Sequence, residues 1–207
     1  QETLTFTGVY EMGGNDSDNP EFDNTGKRYA LSFVEKFADD TVGIAVALAT
    51  TESPRNERKY GVWGYGDNNG ASLPFGLDSQ AISRVLERDT VSAIFQWRPT
   101  DNLDIVVDVL SIDYSDSGVI RGFIEPFELD ASSLNGSGAN STGTQTNANP
   151  VLRTDPAQKD GELQTFGLNI KYDVNDDWSV SLDVADSESS KRDLRGESYA
   201  GLARSGA

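Results

Sequence analysis

The sequence predicts an all-β fold, an antiparallel up-and-down meander that forms part of a transmembrane β-barrel. Three observations predict it. Apolar residues alternate with small or polar ones over unusually long runs, which is the period of a strand with two different faces. Short acidic turns join these runs in pairs, and long polar segments separate the pairs.

Seven strands are predicted. The first covers residues 2–11, and the three hairpins that follow comprise strands 27–37 and 41–51, 84–98 and 102–114, and 162–173 and 178–188. Their turns fall at residues 38–40, 99–101 and 174–177, which are rich in Asp, Asn and Pro. Asp and Asn side chains hydrogen-bond to the nearby backbone and proline has a fixed φ, so these residues favour tight reversals.

The other connections are predicted to be long loops at residues 12–26, 52–83 and 115–161, the last including the low-complexity run 132–149. Loops beyond about 12 to 15 residues are uncommon in compact domains unless they are functional. Because strands alternate in direction, the tight turns share one end of the sheet and the long loops the other. Outer-membrane barrels have this asymmetry, with short periplasmic turns and longer extracellular loops.

The two faces of the strands differ in chemistry. The strands after the tight turns carry rows such as Val42, Ile44, Val46 and Leu48, whereas Gly43, Ala45 and Ala47 lie between them. Such alternation also occurs in a β-sandwich, which is the structural alternative. Runs of about 11 to 15 residues favour the membrane, because sandwich strands usually have about 5 or 6 residues and membrane strands need about 9 to 11.

Aromatic residues lie close to the tight turns, where a membrane-interface girdle would place them. These candidates are Phe37, Trp97, Tyr172 and Trp178. Glu35 interrupts the apolar row of the second strand and indicates either an interfacial position or a β-bulge.

Composition excludes several classes of protein. The chain of 207 residues has no Cys and no His and a net charge of −17. It therefore has no disulfide and lacks the commonest zinc ligand and general base. Its charge would repel nucleic acid. We expect no enzyme activity, no catalytic residues, no cofactor and no metal site.

Several segments, taken in order, resemble the TonB-dependent receptors of Gram-negative bacteria. They are RYALS (28–32), FADDTVGIA (37–45), TESP (51–54), WGY (63–65), VIRGFIE (119–125), NDDW (175–178) and ESYAG (197–201). The resemblance covers most of residues 22–204. It implies a large outer-membrane barrel with an N-terminal plug domain, which imports a scarce ligand with energy delivered through TonB.

The resemblance covers only part of such a receptor. No plug, TonB-contacting segment or closing strand is recognisable, and residues 1–207 are expected to be roughly the first third of the barrel, beginning just after the plug. The implied partners are outer-membrane lipid, TonB through the missing plug region, and a small-molecule or oligosaccharide ligand such as a carbohydrate, siderophore or cobalamin.

Candidate ligand contacts lie in two of the predicted loops, where aromatic and charged side chains suit a sugar or another ligand. They are Tyr60, Trp63, Tyr65, Arg121, Phe123, Glu125 and Phe127. Packing of the loops against each other is the alternative. The acidic loop 15–24 has oxygen ligands for Ca²⁺ but lacks the ordered pattern of a helix-loop-helix site, so a solvated loop is the simpler interpretation.

The predicted function is active import at the cell outer membrane. A passive porin-like channel and a secreted β-sandwich adhesin or carbohydrate-binding module are the alternatives.

Overall fold

A computed structural model describes residues 2–68, 70–130, 133–138 and 141–201. The predicted all-β meander is confirmed, and the described residues include no α-helix. The strands are β1 (Thr3–Met12), β2 (Thr25–Phe37), β3 (Val42–Asn68), β4 (Ala71–Thr100), β5 (Leu103–Pro126), β6 (Glu128–Leu129), β7 (Gln145–Asn147), β8 (Val151–Asn175), β9 (Trp178–Arg195) and β10 (Tyr199–Ala200). Parts of the predicted segment 132–149 and residues 202–204 of the resemblance lie outside the described residues.

The main sheet has the order β1-β2-β3-β4-β5-β8, and β9 and β10 both pair with β8. All of these pairs are antiparallel. The pairing between β8 and its neighbour at the edge of the sheet is interrupted opposite Pro156. The Pro156 carbonyl accepts a hydrogen bond from Gly196 N–H at 2.9 Å, but proline has no N–H to donate in return. β9 and β10 are therefore two parts of one interrupted strand, and β6 and β7 form a separate small ladder.

The predicted loops 52–83 and 115–161 are wrong over most of their length. β3 continues to Asn68 and β4 begins at Ala71, so strand replaces nearly the whole of the first loop. β5 continues to Pro126 and β8 begins at Val151, which shortens the second loop from both ends. The predicted loop 12–26 is confirmed as the connection 13–24 between β1 and β2.

The strand extensions were not predicted because they lack an alternation of apolar and polar residues. Both of their faces carry largely polar or small residues. The pairing of β3 with β4 nevertheless continues without a register shift. Cross-strand ion pairs support it, including Lys59 with Asp78 at 2.8 Å and, between β4 and β5, Arg84 with Asp116 at 3.0 Å. Pro54 follows the last β2–β3 pair, so β3 is no longer paired with β2 at this position. The missing N–H of proline is therefore tolerated there.

The three predicted tight turns are present, and the second is displaced slightly because β4 continues to Thr100 and β5 begins at Leu103. In the first, Ala38, Asp39 and Asp40 have φ of 51°, 54° and 65°, and Thr41 N–H donates to the Ala38 carbonyl at 3.1 Å. Asp tolerates this left-handed region better than most residues. In the third, the Asn175 side chain accepts hydrogen bonds from the backbone of Asp177 and Trp178, each at 3.0 Å.

Cross-strand pairing places all the predicted apolar rows on one face of the sheet, here called the band face, and these residues form the apolar band. The band comprises Leu4 and Phe6 of β1; Tyr29, Leu31, Phe33 and Phe37 of β2; Val42, Ile44, Val46 and Leu48 of β3; Val91, Ala93, Phe95 and Trp97 of β4; Leu103, Ile105, Val107 and Val109 of β5; Phe166, Leu168, Ile170 and Tyr172 of β8; and Trp178, Val180, Leu182 and Val184 of β9. At the same level the opposite face carries mostly small or polar residues, such as Ala45, Ala47, Asp108 and Asn169.

Glu35 lies in this band without a bulge. It pairs with Ile44, and the β2–β3 register runs unbroken from Lys27 to Phe37. The interfacial alternative therefore remains, because Glu35 is close to the tight turn.

The sheet is a single layer in the described part of the chain. Val119 is the one buried hydrophobic residue there, whereas Phe6 is 69 % exposed and Val180 59 % exposed. Monomeric soluble proteins rarely expose continuous apolar patches larger than a few hundred Å². The band face thus lacks the apolar cover that a second layer would supply.

Gly122 permits a close approach between β4 and β5. A Cβ at this position would lie 2.1 Å from the Ser79 carbonyl oxygen and 2.8 Å from Gln80 Cα, so backbone would have to move. We expect Gly122→Ala to destabilise the folded protein by about 1–3 kcal/mol, as overpacking does. Urea unfolding of the full-length protein measures this.

Gly43→Ala is the matched control, because its Cβ would have no neighbour closer than 3.8 Å. An unfolding midpoint for Gly122→Ala equal to that of the control would contradict the close approach.

Candidate functional site on the distal wall

The strands continue well beyond the apolar band, away from the tight turns, and these extensions form the distal wall. It comprises residues 9–12, 25–28, 50–68, 71–89, 111–126, 151–164 and 188–200. Its pairing continues the register of the band, so each of its residues can be assigned to the band face or to the opposite face.

Loop 13–24 packs onto the band face of this wall. Asn19 and Ser83 are each 1 % exposed. The Asn19 side-chain amide donates to Ser83 Oγ at 2.9 Å, and Ser17 Oγ lies 2.8 Å from the same oxygen. Burying these polar groups is tolerated because they satisfy one another. The small side chains of Ser83 and Ala81 leave room for the loop to reach the sheet.

Two bidentate ion pairs join loop 13–24 to the sheet, one through Asp18 and one through Glu21. Arg58 of β3 donates to Asp18 at 2.5 and 2.8 Å. Arg121 of β5 donates to both oxygens of Glu21, one at 2.6 Å. Hydrogen bonds from Arg121 lower the pKa of Glu21 from 4.5 to about 2, and those from Arg58 lower the pKa of Asp18.

A shallow cavity of about 330 Å³ lies beside the loop. Three of the predicted ligand contacts meet there. Tyr60 and Phe123 are both paired with Ser79 in one row of the band face, and Arg121 lies in the adjacent row. Tyr60 is 72 % exposed. Two aromatic rings over a floor of Ser79 and Ala81, flanked by ion pairs, can stack on a sugar ring and hydrogen-bond to its hydroxyls.

The other four predicted contacts lie elsewhere. Trp63 is on the opposite face, where its ring covers Gly76, and Tyr65 is on that same face. Glu125 is 6 % exposed and accepts hydrogen bonds from the Gln145 side chain and from Asn149 N–H at 3.0 Å. Phe127 follows β5, and its N–H donates to the Phe75 carbonyl at 2.8 Å.

Residue spacing in the sequence did not predict that loop 13–24 lies beside Tyr60, Arg121 and Phe123. Asp18 and Arg58 were not predicted as site residues, because their pairing depends on how loop 13–24 folds back onto the sheet. Nor does spacing separate Tyr60 from Trp63 unless the intervening segment is recognised as strand, in which residues three apart lie on opposite faces.

The four predicted interface aromatics lie at the tight-turn end of the sheet, and all are exposed. Phe37 and Trp97 both pair with Val42, and Tyr172 pairs with Leu103. Trp178 follows the third turn and is 71 % exposed.

The carboxylates of loop 13–24 are engaged with protein groups. Asp18 and Glu21 pair with arginines, and Asp16 accepts a hydrogen bond from Asn24 at 2.7 Å. Within the described residues, no three carboxylates come together as a metal site.

In the described ranges, no helix is long and apolar enough to cross a membrane.

Comparisons with protein-family models, curated proteins and solved structures found no match for this chain.

Acid should release loop 13–24 from the wall. A carboxylate whose pKa is lowered on folding stabilises the folded form above its unfolded pKa, and this contribution is lost as pH falls. For Glu21 the loss occurs between about pH 4.5 and pH 2, and Asp18 adds to it. A spin label at Gly14→Cys, where the side chain meets no atom within 4 Å, should become more mobile over this range.

Glu21→Gln should increase the mobility of the label already at pH 7. Glu57→Gln, which removes the same charge from the opposite face, should leave it unchanged. Equal mobility of the label in both variants would show that the Glu21–Arg121 pair does not hold the loop.

Proposed function

We propose that this chain forms part of the wall of an outer-membrane β-barrel in a Gram-negative bacterium, in a transporter that imports a scarce ligand with energy delivered through TonB. The single observation that carries the proposal is the apolar band. Seven neighbouring strands turn their apolar residues to one face, and within the described residues no second layer covers the apolar band.

The dimensions of the band suit an outer membrane. The apolar row of β2 runs from Tyr29 to Phe37 and covers nine residues, which is within the range of about 9 to 11 residues that a tilted strand needs to cross a bilayer. The band is followed on β3 by Thr50 and Glu52 and on β4 by Asp89 and Glu87, so it ends abruptly in polar residues.

The mostly polar opposite face at band level suits a wet lumen. Asp108, Asn169 and Lys171 lie there, and Asn169 donates to Asp183 at 2.8 Å. Placing these side chains in a protein core would cost free energy, because charged groups are rarely buried unless paired. A β-sandwich would leave this polar face in solvent and would cover the apolar band with a second sheet, and in the described residues no second sheet covers the band.

The proposal also fixes an orientation. The tight turns and the aromatic residues Phe37, Trp97, Tyr172 and Trp178 would lie at the periplasmic interface, and the distal wall would project outside the cell. β1 and the interrupted strand β9–β10 are the edges of the sheet. In lipid both edges must pair, so the proposal requires further strands to close the barrel.

The ligand and energy source rest on the resemblance to TonB-dependent receptors. The distal wall would sample the ligand, and TonB would act through a plug domain. A porin-like channel shares the same wall, so dependence of uptake on TonB in cells distinguishes active import from passive diffusion.

Val106 and Val107 provide a matched test of the membrane face. Val107 lies in the middle of the apolar band, whereas Val106 lies on the opposite face between Gln96 and Asn169. We expect Val107→Arg to destabilise the barrel in lipid vesicles by about 2–4 kcal/mol, the cost of an arginine facing the bilayer centre. Val106→Arg should have a much smaller effect.

Urea unfolding of the full-length protein, folded into vesicles and checked for heat-modifiable migration, measures both variants. A larger effect at Val106 than at Val107, or a protein that is monomeric and soluble without detergent, would overturn the membrane assignment and favour a β-sandwich binding module.

A further inference from the structure

The distal wall separates charge between its two faces just beyond the apolar band. One row on the opposite face, here called the cation row, runs across six strands. It consists of Arg28, Thr51, Arg88, Tyr114, Gly161 and Lys191. This row contains three cations and no carboxylate, in a chain whose net charge is −17.

The neighbouring row on the band face has the reverse composition. It consists of Thr50, Asp89, Asp113, Glu162 and Ser190. Each of its members precedes or follows a member of the cation row in sequence, so alternation along each strand sends the two kinds of charge to opposite sides of the wall.

Two of the three cations of the row are available to a ligand. Arg28 is paired with Glu11 at 3.1 Å, but Arg88 and Lys191 form no ion pair within the described residues. Arg88 is exposed. By contrast, carboxylates farther along this face are engaged, such as Asp116 with Arg84 and Asp155 with Arg153.

Tyr114 adds an aromatic ring and a phenol hydroxyl to the cation row. It lies between Arg88 and Gly161 in the row, and its ring covers Gly161, where a Cβ would be 2.5 Å from the ring. The phenol is thus held flat against the wall and leaves room above it. Guanidinium and ammonium groups flanking a phenol hydroxyl provide strong donors to carboxylate, sulfate or phosphate oxygens.

We propose that the cation row binds an anionic ligand, one carrying carboxylate, sulfate or phosphate groups, as it enters the lumen. This inference rests on the proposed transport function, because only then is the opposite face the lumen. The acidic row would face outward and would not compete for the same ligand.

The first experiment measures the local field and does not require the ligand. The chain has no cysteine, so Thr51→Cys reports on the cation row and Thr50→Cys on the acidic row. Each is treated with an anionic and a cationic methanethiosulfonate in the full-length protein at low ionic strength. We expect the ratio of anionic to cationic reaction rate to be about tenfold or more higher at Thr51→Cys. Added Arg88→Gln should lower that ratio.

Equal ratios at the two positions would overturn the charge separation. A Thr51→Cys that reacts with neither reagent, while Thr50→Cys reacts with both, would show that the row is covered and is not a ligand surface.

The second experiment measures binding. Fluorescently labelled oligogalacturonate is compared with maltohexaose carrying the same label, by anisotropy with the full-length protein in detergent. Arg88→Gln and Lys191→Gln should each weaken oligogalacturonate binding by roughly three- to tenfold. Arg192→Gln removes the same charge from the adjacent residue on the band face and should change it less than twofold.

An equal loss with Arg192→Gln, or equal binding of the neutral sugar, would overturn the proposal. Binding of neither sugar would overturn it too. If that same preparation is heat-modifiable and detergent-dependent, the membrane-barrel assignment stands and the failure concerns the anionic ligand alone.

Discussion

The structure depends on the register in which seven strands pair. Alternation along one strand makes that strand two-faced, but only an unbroken register brings the apolar residues of all strands to the same face. A shift of one residue in any pair would move one apolar row to the opposite face. The described ladders contain two register shifts in the main sheet, and both lie next to tight turns, where the apolar band has ended or is about to end.

The same constraint explains which parts of the fold could be predicted. The band strands and the turns at residues 38–40, 99–101 and 174–177 were predictable, because two-faced burial and tight reversal both leave local patterns. The distal wall was not, since neither of its faces is apolar. There the strands are held by backbone pairing and by ion pairs such as Lys59 with Asp78. Because such polar strands have the same composition as loops, their sequence does not distinguish the two.

The candidate site was predicted less completely than the fold. Of the seven predicted ligand contacts, Tyr60, Arg121 and Phe123 lie together, because pairing with β4 brings them into adjacent rows. Trp63 and Tyr65 are on the other face, since strand replaced the expected loop. Asp18 and Arg58 meet over a separation of 40 residues, and no local pattern predicts such a contact.

Charge separation through the wall follows from register in the same way. Asp89 follows Arg88 in sequence, and Arg192 follows Lys191, so along the chain these charges are simply mixed. They become two surfaces of opposite sign only because alternation assigns neighbours to different faces and pairing places Arg28, Arg88 and Lys191 in one row across six strands. Like charges in adjacent strands repel, but no two cations of the row lie in adjacent strands, because Thr51 lies between Arg28 and Arg88, and Tyr114 and Gly161 lie between Arg88 and Lys191. Arg88 is exposed and, like Lys191, forms no ion pair within the described residues, which is the physical reason to look at this row for a ligand that brings the missing negative charge.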